Sequence, residues 1–310
     1  MTCILSYRDP QFYYPHLACG ILSALGSLFI IFIYIFTPRI QIYSYKLIAH
    51  LALAQFLSSI DYLLPDNIVQ DNPSICILIG LIVNSGQITS ILWMTCIAIT
   101  IYQVIIYSVV VFEKYEKYWV FASWLLVPLL NCIPILTQSY APVGSTCTYN
   151  VGLVGTIERI LIFFVPVWLF LILTLYCYWR IFSQAKVLNE VSQHSNLIKR
   201  LMYYPIIMVI NALILTISRG LTYLLEDCEE SIADFFMYVF IALNGFINFL
   251  IFLFSPSVYV LVFEKRREQI NSSLLEDCSE GSSLNLLFNE TGKSKGQNQG
   301  VTISNINMEI

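Results

Sequence analysis

The chain is 310 residues long, 57% hydrophobic and only 12% charged, with a net charge of −4 and a mean hydropathy of +0.72. A soluble domain carries about 25% charged residues, so the core of this chain is lipid-embedded, and no separate globular domain fits in what remains. The slight negative charge gives no sign of a nucleic-acid partner.

Residues 1–13 form a short outer segment. Arg8 is its one basic residue and no small-residue cleavage site follows, so the first apolar run is expected to act as its own insertion signal. Seven apolar runs then succeed one another: Tyr14–Phe36, Leu47–Leu64, Ile75–Val111, Tyr118–Leu136, Thr156–Phe182, Leu201–Leu225 and Phe235–Phe263. About 20 apolar residues cross a bilayer as a helix. The expected fold is an all-α membrane protein with a seven-helix transmembrane domain over 14–263. The third run is too long for one upright crossing and predicts a tilted helix protruding into the cytosol. Pro128, Pro134, Pro166, Pro205 and Pro256 fall in the runs. Each marks a kink, a hinge or a helix end, with Pro205 and Pro256 the candidate hinges. Beyond the seventh run, 264–275 has one apolar and one basic side and reads as a juxtamembrane amphipathic helix or a stop-transfer segment. The Ser/Asn/Gln/Gly-rich remainder, 276–310, is expected to be a disordered cytosolic tail whose serines are open to phosphorylation.

Charge sets the orientation. Arg39 and Lys46, then Lys114 and Lys117, then Arg180, Lys186, Lys199 and Arg200, then Lys265, Arg266, Arg267, Lys293 and Lys295 all fall on one side, thirteen of the sixteen basic residues. Cytoplasmic loops are the Lys/Arg-rich ones, so the N-terminus is outside and the C-terminus inside. The outer rim is acidic, with Asp66, Asp71, Glu226, Asp227, Glu229, Glu230 and Asp234. Cys76 opens the third run and Cys147 lies in the outer loop between the fourth and fifth. A bridge between them would tie that loop across the bundle, the alternative being two unpaired thiols. Cys3 with Cys228 is a second candidate pair.

Polar groups inside a membrane are the candidate functional residues. Arg219 lies about six residues inside the outer end of the sixth run, and Glu158 and Arg159 begin the fifth. If those helices adjoin, the two arginines line an outward pocket for an anion such as phosphate or carboxylate. Alternatively they snorkel to the interface or pair with Glu158, Glu226 or Asp61. Asn84, Gln87 and Ser90 recur at spacing three on the third run, and Asn211, Asn244 and Asn248 lie on the sixth and seventh. They are polar glue between helices or ligand contacts. No Lys falls between Arg219 and Lys265, which excludes a retinal Schiff base in the seventh span. No metal spacing, nucleophile–base pair or phosphate-cradling loop is present, so neither an enzyme nor a bound cofactor is expected.

Three stretches resemble the cyclic-AMP-receptor-like (class E) family of G-protein-coupled receptors. One runs from Cys76 through Gln87-Ile-Thr-Ser-Ile-Leu-Trp93 to Thr100-Ile-Tyr102. Another runs from Arg200-Leu-Met-Tyr-Tyr-Pro205 through Asn211 to Thr216-Ile-Ser-Arg219, with Ser218 where the family has Asn. The third is Leu243-Asn-Gly-Phe-Ile-Asn248, with Asn244 where the family has Gln. The resemblance implies an outward ligand pocket, with Arg219 and Trp93 as its motif residues, and an extracellular small-molecule ligand for which a cyclic nucleotide is one candidate. It also implies an inner face that activates a heterotrimeric G protein at the plasma membrane. Lys114, Lys117, Lys186, Lys199 and Arg200 would contribute to that face, although anionic membrane lipid accounts for them nearly as well. The chain departs from receptors generally in having Glu113-Lys-Tyr near the place of Asp-Arg-Tyr, and Ser255-Pro-Ser-Val-Tyr259 where Asn-Pro-x-x-Tyr is usual. The rival readings are a polytopic transporter or channel and an accessory membrane protein. Neither an internal repeat nor a mid-membrane charge supports a transporter.

Overall fold

Seven helical spans run in chain order in the computed structural model, which describes residues 10–64, 71–107, 113–143, 146–183, 202–224, 232–255 and 258. They are α1 (Pro10–Phe36), α2 (Tyr43–Leu63), α3 (Pro73–Tyr107), α4 (Glu113–Phe121, continued by Ala122–Leu126, Val127–Asn131 and Ile133–Leu136), α5 (Leu153–Glu158, Arg159–Phe164 and Val165–Ser183), α6 (Tyr203–Leu224) and α7 (Ile232–Ala242 and Asn244–Leu253). Between α4 and α5 a two-stranded antiparallel hairpin forms, β1 (Tyr140–Val143) and β2 (Thr146–Tyr149). Among the described residues, stretches of α1, α3, α4 and α5 are long and apolar enough to cross a membrane, and parts of α6 and α7 form shorter apolar helices. The amphipathic segment 264–275 and the tail 276–310 lie outside the described residues.

α3 is the centre of the packing. At 35 residues it reaches about 52 Å, and 61% of its most apolar window is buried, against 22–33% for those of α1, α4 and α5. It touches α2, α5, α6, part of α4 and both hairpin strands. Small residues let it approach its neighbours. A Cβ on Gly86 would lie 2.9 Å from the Ala54 carbonyl oxygen and 2.9 Å from Ser58 Oγ on α2. Close approach of backbones through small residues is how helices associate where lipid is as apolar as leucine.

The prolines expected to kink helices act by widening a turn. Pro128 and Pro166 offer no N–H to the carbonyls four residues back, Trp124 and Ile162. In each helix a π-turn segment stands just before the proline, Ala122–Leu126 in α4 and Arg159–Phe164 in α5. The widened turn of α4 turns the Ser123 carbonyl toward α3, where Thr89 donates its hydroxyl at 2.9 Å. α7 is not one unbroken run. It breaks at Leu243, and the Gly245 N–H there donates to Ser23 Oγ of α1 at 3.1 Å. At the inner side α2 and α7 are joined by the Tyr45 and Ser255 hydroxyls, 2.6 Å apart.

Candidate functional site

At the outer end of the bundle the hairpin packs against α3 and α2, and its position follows from how α4 ends. Gln138 has φ 54, the left-handed conformation that stops a helix. The Gln138 N–H donates to the Ile135 carbonyl at 3.2 Å and the Ser139 N–H to the Pro134 carbonyl at 2.8 Å. This doubly bonded C-terminal motif satisfies the last carbonyls and turns the chain into β1. Pro134 therefore reads as part of a helix end. Pro142 pairs with Cys147 across the hairpin.

Three attachments pin the hairpin down. Cys147 is bridged to Cys76 at the outer end of α3, with Cα atoms 5.3 Å apart, so the pairing expected from the placement of the two cysteines is formed. Tyr140 donates to the Asn131 carbonyl at 3.2 Å and Tyr149 to Asn131 Oδ1 at 3.1 Å, while Asn131 Nδ2 returns to the Val127 carbonyl at 2.9 Å. Burial pushes both phenols above the ordinary tyrosine range, so they remain protonated donors. Finally, the Arg159 guanidinium donates to the Tyr149 carbonyl. Its neighbour Glu158 is buried and accepts from Thr137 Oγ1 at 2.7 Å at the end of α4. Glu158 and Arg159 thus grip the hairpin and the end of α4 from the first turns of α5.

The other candidate residues are spread through the bundle. Asn84 is buried and bonds within its own helix, Nδ2 to the Gly80 carbonyl at 2.7 Å. Gln87 is half-buried one turn further inward. Trp93 is fully buried and stacked on His50 of α2, ring centroids 4.5 Å apart. Arg219 falls on α6, with its side chain outside the description. Asn211, on the same helix, has neither polar side-chain atom hydrogen-bonded. Pro205 is buried in the first described turn of α6, where a proline costs no internal bond. On the inner side Lys117 is exposed and Lys114 falls in the first turn of α4. Lys186, Lys199, Arg200 and Pro256 lie outside the described residues. Among the described residues no group of three His, Cys, Asp or Glu side chains converges on a metal site.

Sequence reasoning missed Asn131, His50 and a buried contact in which Thr174 of α5 donates to Thr95 of α3 at 3.3 Å beside the sulfur of Met208 on α6. Asn131 had a signal: a polar residue inside an otherwise apolar run, the same criterion that picked out Asn84.

This architecture has known counterparts. The crystal structure of squid rhodopsin matches over 84% of this chain and 87% of that one, with a TM-score of 0.64 at 17% identity, which shows the seven-helix fold. In sequence, the chain is 24% identical over 261 residues to "G-protein coupled receptor 1" of Arabidopsis thaliana, covering 79% of this chain and 78% of that protein. It is also 24% identical over 257 residues to "Cyclic AMP receptor-like protein A" of Dictyostelium discoideum, covering 79% of this chain and 65% of that one. These likenesses support a G-protein-coupled receptor that is similar in sequence to a cyclic-AMP-receptor-like protein. No protein-family model matches it. The receptor is an integral membrane protein, and the transporter and accessory readings are not favoured.

Proposed function

We propose that this receptor sits in the plasma membrane and passes the binding of an extracellular small molecule to a heterotrimeric G protein by rearranging its helices. The observation that carries the reading is the position of α3, which is bridged to the outer hairpin at Cys76 and packed on α5 and α6. One rigid element touching both ends can bias a two-state bundle from outside to inside.

A cyclic nucleotide is the first ligand class to test, because the name of one relative is that of a cyclic AMP receptor and Arg219 has the fork geometry that suits phosphate. Arg219, Asn84 and Gln87 are the proposed ligand-facing residues. Arg159, Glu158 and Trp93 are proposed to act by holding the hairpin and the helices that frame that site. Lys114, Lys117, Lys186, Lys199 and Arg200 are proposed to face the G protein and the anionic inner leaflet.

The test uses the purified receptor in lipid nanodiscs with purified heterotrimeric G proteins. Uptake of a non-hydrolysable GTP analogue is followed with cyclic AMP, with cyclic GMP and with neither. Stimulation by a cyclic nucleotide, lost in Arg219→Ala with folding intact, supports both the coupling and the ligand class. Exchange that is receptor-dependent but indifferent to cyclic nucleotides removes that ligand class and leaves the coupling. Stimulation that survives in Arg219→Ala removes the anion-site assignment.

A further inference from the structure

The inner ends of α3 and α5 share a cluster of phenols around one arginine. Arg180 lies in the last turn of α5, and Tyr107 is the last residue of α3. Tyr102 stands about one and a half turns back along α3 and connects them. Its hydroxyl is 3.3 Å from that of Tyr107, and the Arg180 guanidinium is within hydrogen-bonding reach of it. The Tyr102 ring also lies 6.4 Å from that of Tyr176 on α5, and Tyr176 packs beside Trp179, with ring centroids 6.3 Å apart.

Hydrogen-bond arithmetic shows what the cluster lacks. A guanidinium has five N–H donors and no acceptor, and a phenol has one proton and an oxygen that accepts. Of two phenols in contact, one donates and the other keeps its proton for a further acceptor. The groups that act electrostatically on Arg180 are Tyr102, Tyr176 and Tyr107, with no carboxylate among them. Arg180 Nε is covered yet bonded to nothing among the described residues. A full positive charge with donors to spare suits an acceptor-rich anion, and the planar fork of arginine matches phosphate.

Location narrows the anion. The Lys/Arg bias puts these helix ends on the cytoplasmic side, where the leaflet carries anionic lipid. Tyr107, Tyr176 and Trp179 are exposed, and Trp and Tyr are the residues that sit at headgroup level. From Trp179 an exposed apolar stripe runs toward the midplane through Leu175 and Ile172, spaced as one helix face. A lipid held by its phosphate at Arg180 lays an acyl chain along that stripe, whereas a free phosphate makes no use of it.

We propose that Arg180, Tyr102 and Tyr107 form a binding site for the phosphate of an anionic phospholipid in the inner leaflet, with Trp179, Leu175 and Ile172 receiving its acyl chain. The site requires the orientation of the chain and not its coupling to a G protein.

The test uses the full chain in detergent, with native mass spectrometry of bound lipid and thermal unfolding as phosphatidylserine or phosphatidylcholine is added. Phosphatidylserine is expected to bind more tightly and to raise the unfolding temperature. Arg180→Gln should weaken phosphatidylserine binding about fivefold, the ratio set by one basic residue near an anionic leaflet, and leave phosphatidylcholine binding unchanged. Tyr102→Phe removes only a hydroxyl and should weaken it about two- to threefold. Arg39→Gln removes a basic residue of the same inner side, between α1 and α2, and should leave binding near its starting value. A folded Arg180→Gln receptor with undiminished preference for phosphatidylserine overturns the site and leaves Arg180 as a cation that complements the end of α5. Equal losses in Arg39→Gln and Arg180→Gln mean diffuse attraction to a basic surface and also overturn it. Inorganic phosphate that stabilises the receptor as well as phosphatidylserine does at equal concentration overturns the lipid assignment. If Arg180→Gln fails to fold, Arg180→Lys, which keeps the charge without the fork, and Tyr102→Phe decide by the same preference.

Discussion

Trp124 of α4 donates its indole N–H to Nδ1 of His50 on α2 at 3.3 Å, and the His50 ring lies flat on Trp93 of α3, with 5° between the planes. An indole nitrogen only donates, so Nδ1 of His50 carries no proton and the imidazole is neutral, with its proton on Nε2. Three helices therefore meet at one stacked, hydrogen-bonded group. An ion pair between Lys46 and Glu116 joins α2 to α4 about one turn inward. Exposed in part, that pair adds little to stability.

The His50–Trp124 contact is expected to carry energy. Trp124→Phe keeps an aromatic ring and removes the donor, and should lower stability by about 1–2 kcal/mol, as expected for a lost hydrogen bond in a part-buried place. A double-mutant cycle with His50→Phe, read by thermal unfolding in detergent, should give a coupling of about 1 kcal/mol. Strict additivity of the two substitutions would show that the contact does not hold the helices.

The Cys76–Cys147 bridge closes a 71-residue separation, worth about 4 kcal/mol in the chain-entropy view. Replacing both cysteines by serine should lower the unfolding temperature, and reductant should do the same to the unaltered receptor. A receptor whose unfolding is indifferent to reductant argues against the bridge.

Gly80 makes room for the hairpin. A Cβ there would lie 2.8 Å from Tyr140 Cδ1 and 3.2 Å from the Cys147 carbonyl oxygen. Gly80→Val is expected to cost about 1–3 kcal/mol by overpacking, and Tyr140→Ala in the same chain should restore part of it. Thermal unfolding of the three chains is the check, and a Gly80→Val receptor as stable as the unaltered one contradicts the packing.

Arg159 and Glu158 should part company on substitution. Arg159→Ala removes a charged donor from the Tyr149 carbonyl, a bond of about 1.5–3 kcal/mol, so amide exchange across 140–149 should quicken. Glu158→Gln still offers Thr137 an acceptor and should leave that exchange near its starting value. Equal loosening by both would mean that the charge of Glu158, and not its hydrogen bond, holds the end of α4.

Much of the fold was legible because the bilayer acts as a ruler. A run near 20 apolar residues can only cross, so seven spans and their order follow from composition, and the basic residues orient them. The Cys76–Cys147 bridge was legible because both cysteines fall on the same, oxidising side. Other features were not. The hairpin strands are four residues each, too short for alternation to stand out, although Gly144-Ser145 between them is a turn signal. Pro128 and Pro166 each mark a kink, a hinge or a helix end in the sequence, which does not say that the chain answers with a widened turn. His50 is one of three histidines in the chain, and its role depends on which helices adjoin, about which periodicity along one helix carries no information. Arg159 was legible as an arginine near the outer face, but its partner, a backbone carbonyl of Tyr149, has no side-chain signature at all.

The most direct test of the receptor account is to solubilise the protein from its native membranes, capture it, and probe for a heterotrimeric G protein with and without a non-hydrolysable GTP analogue. The account predicts a complex that falls apart when the analogue is added. Folded receptor that carries no G protein, or one that stays bound regardless of nucleotide, would contradict it.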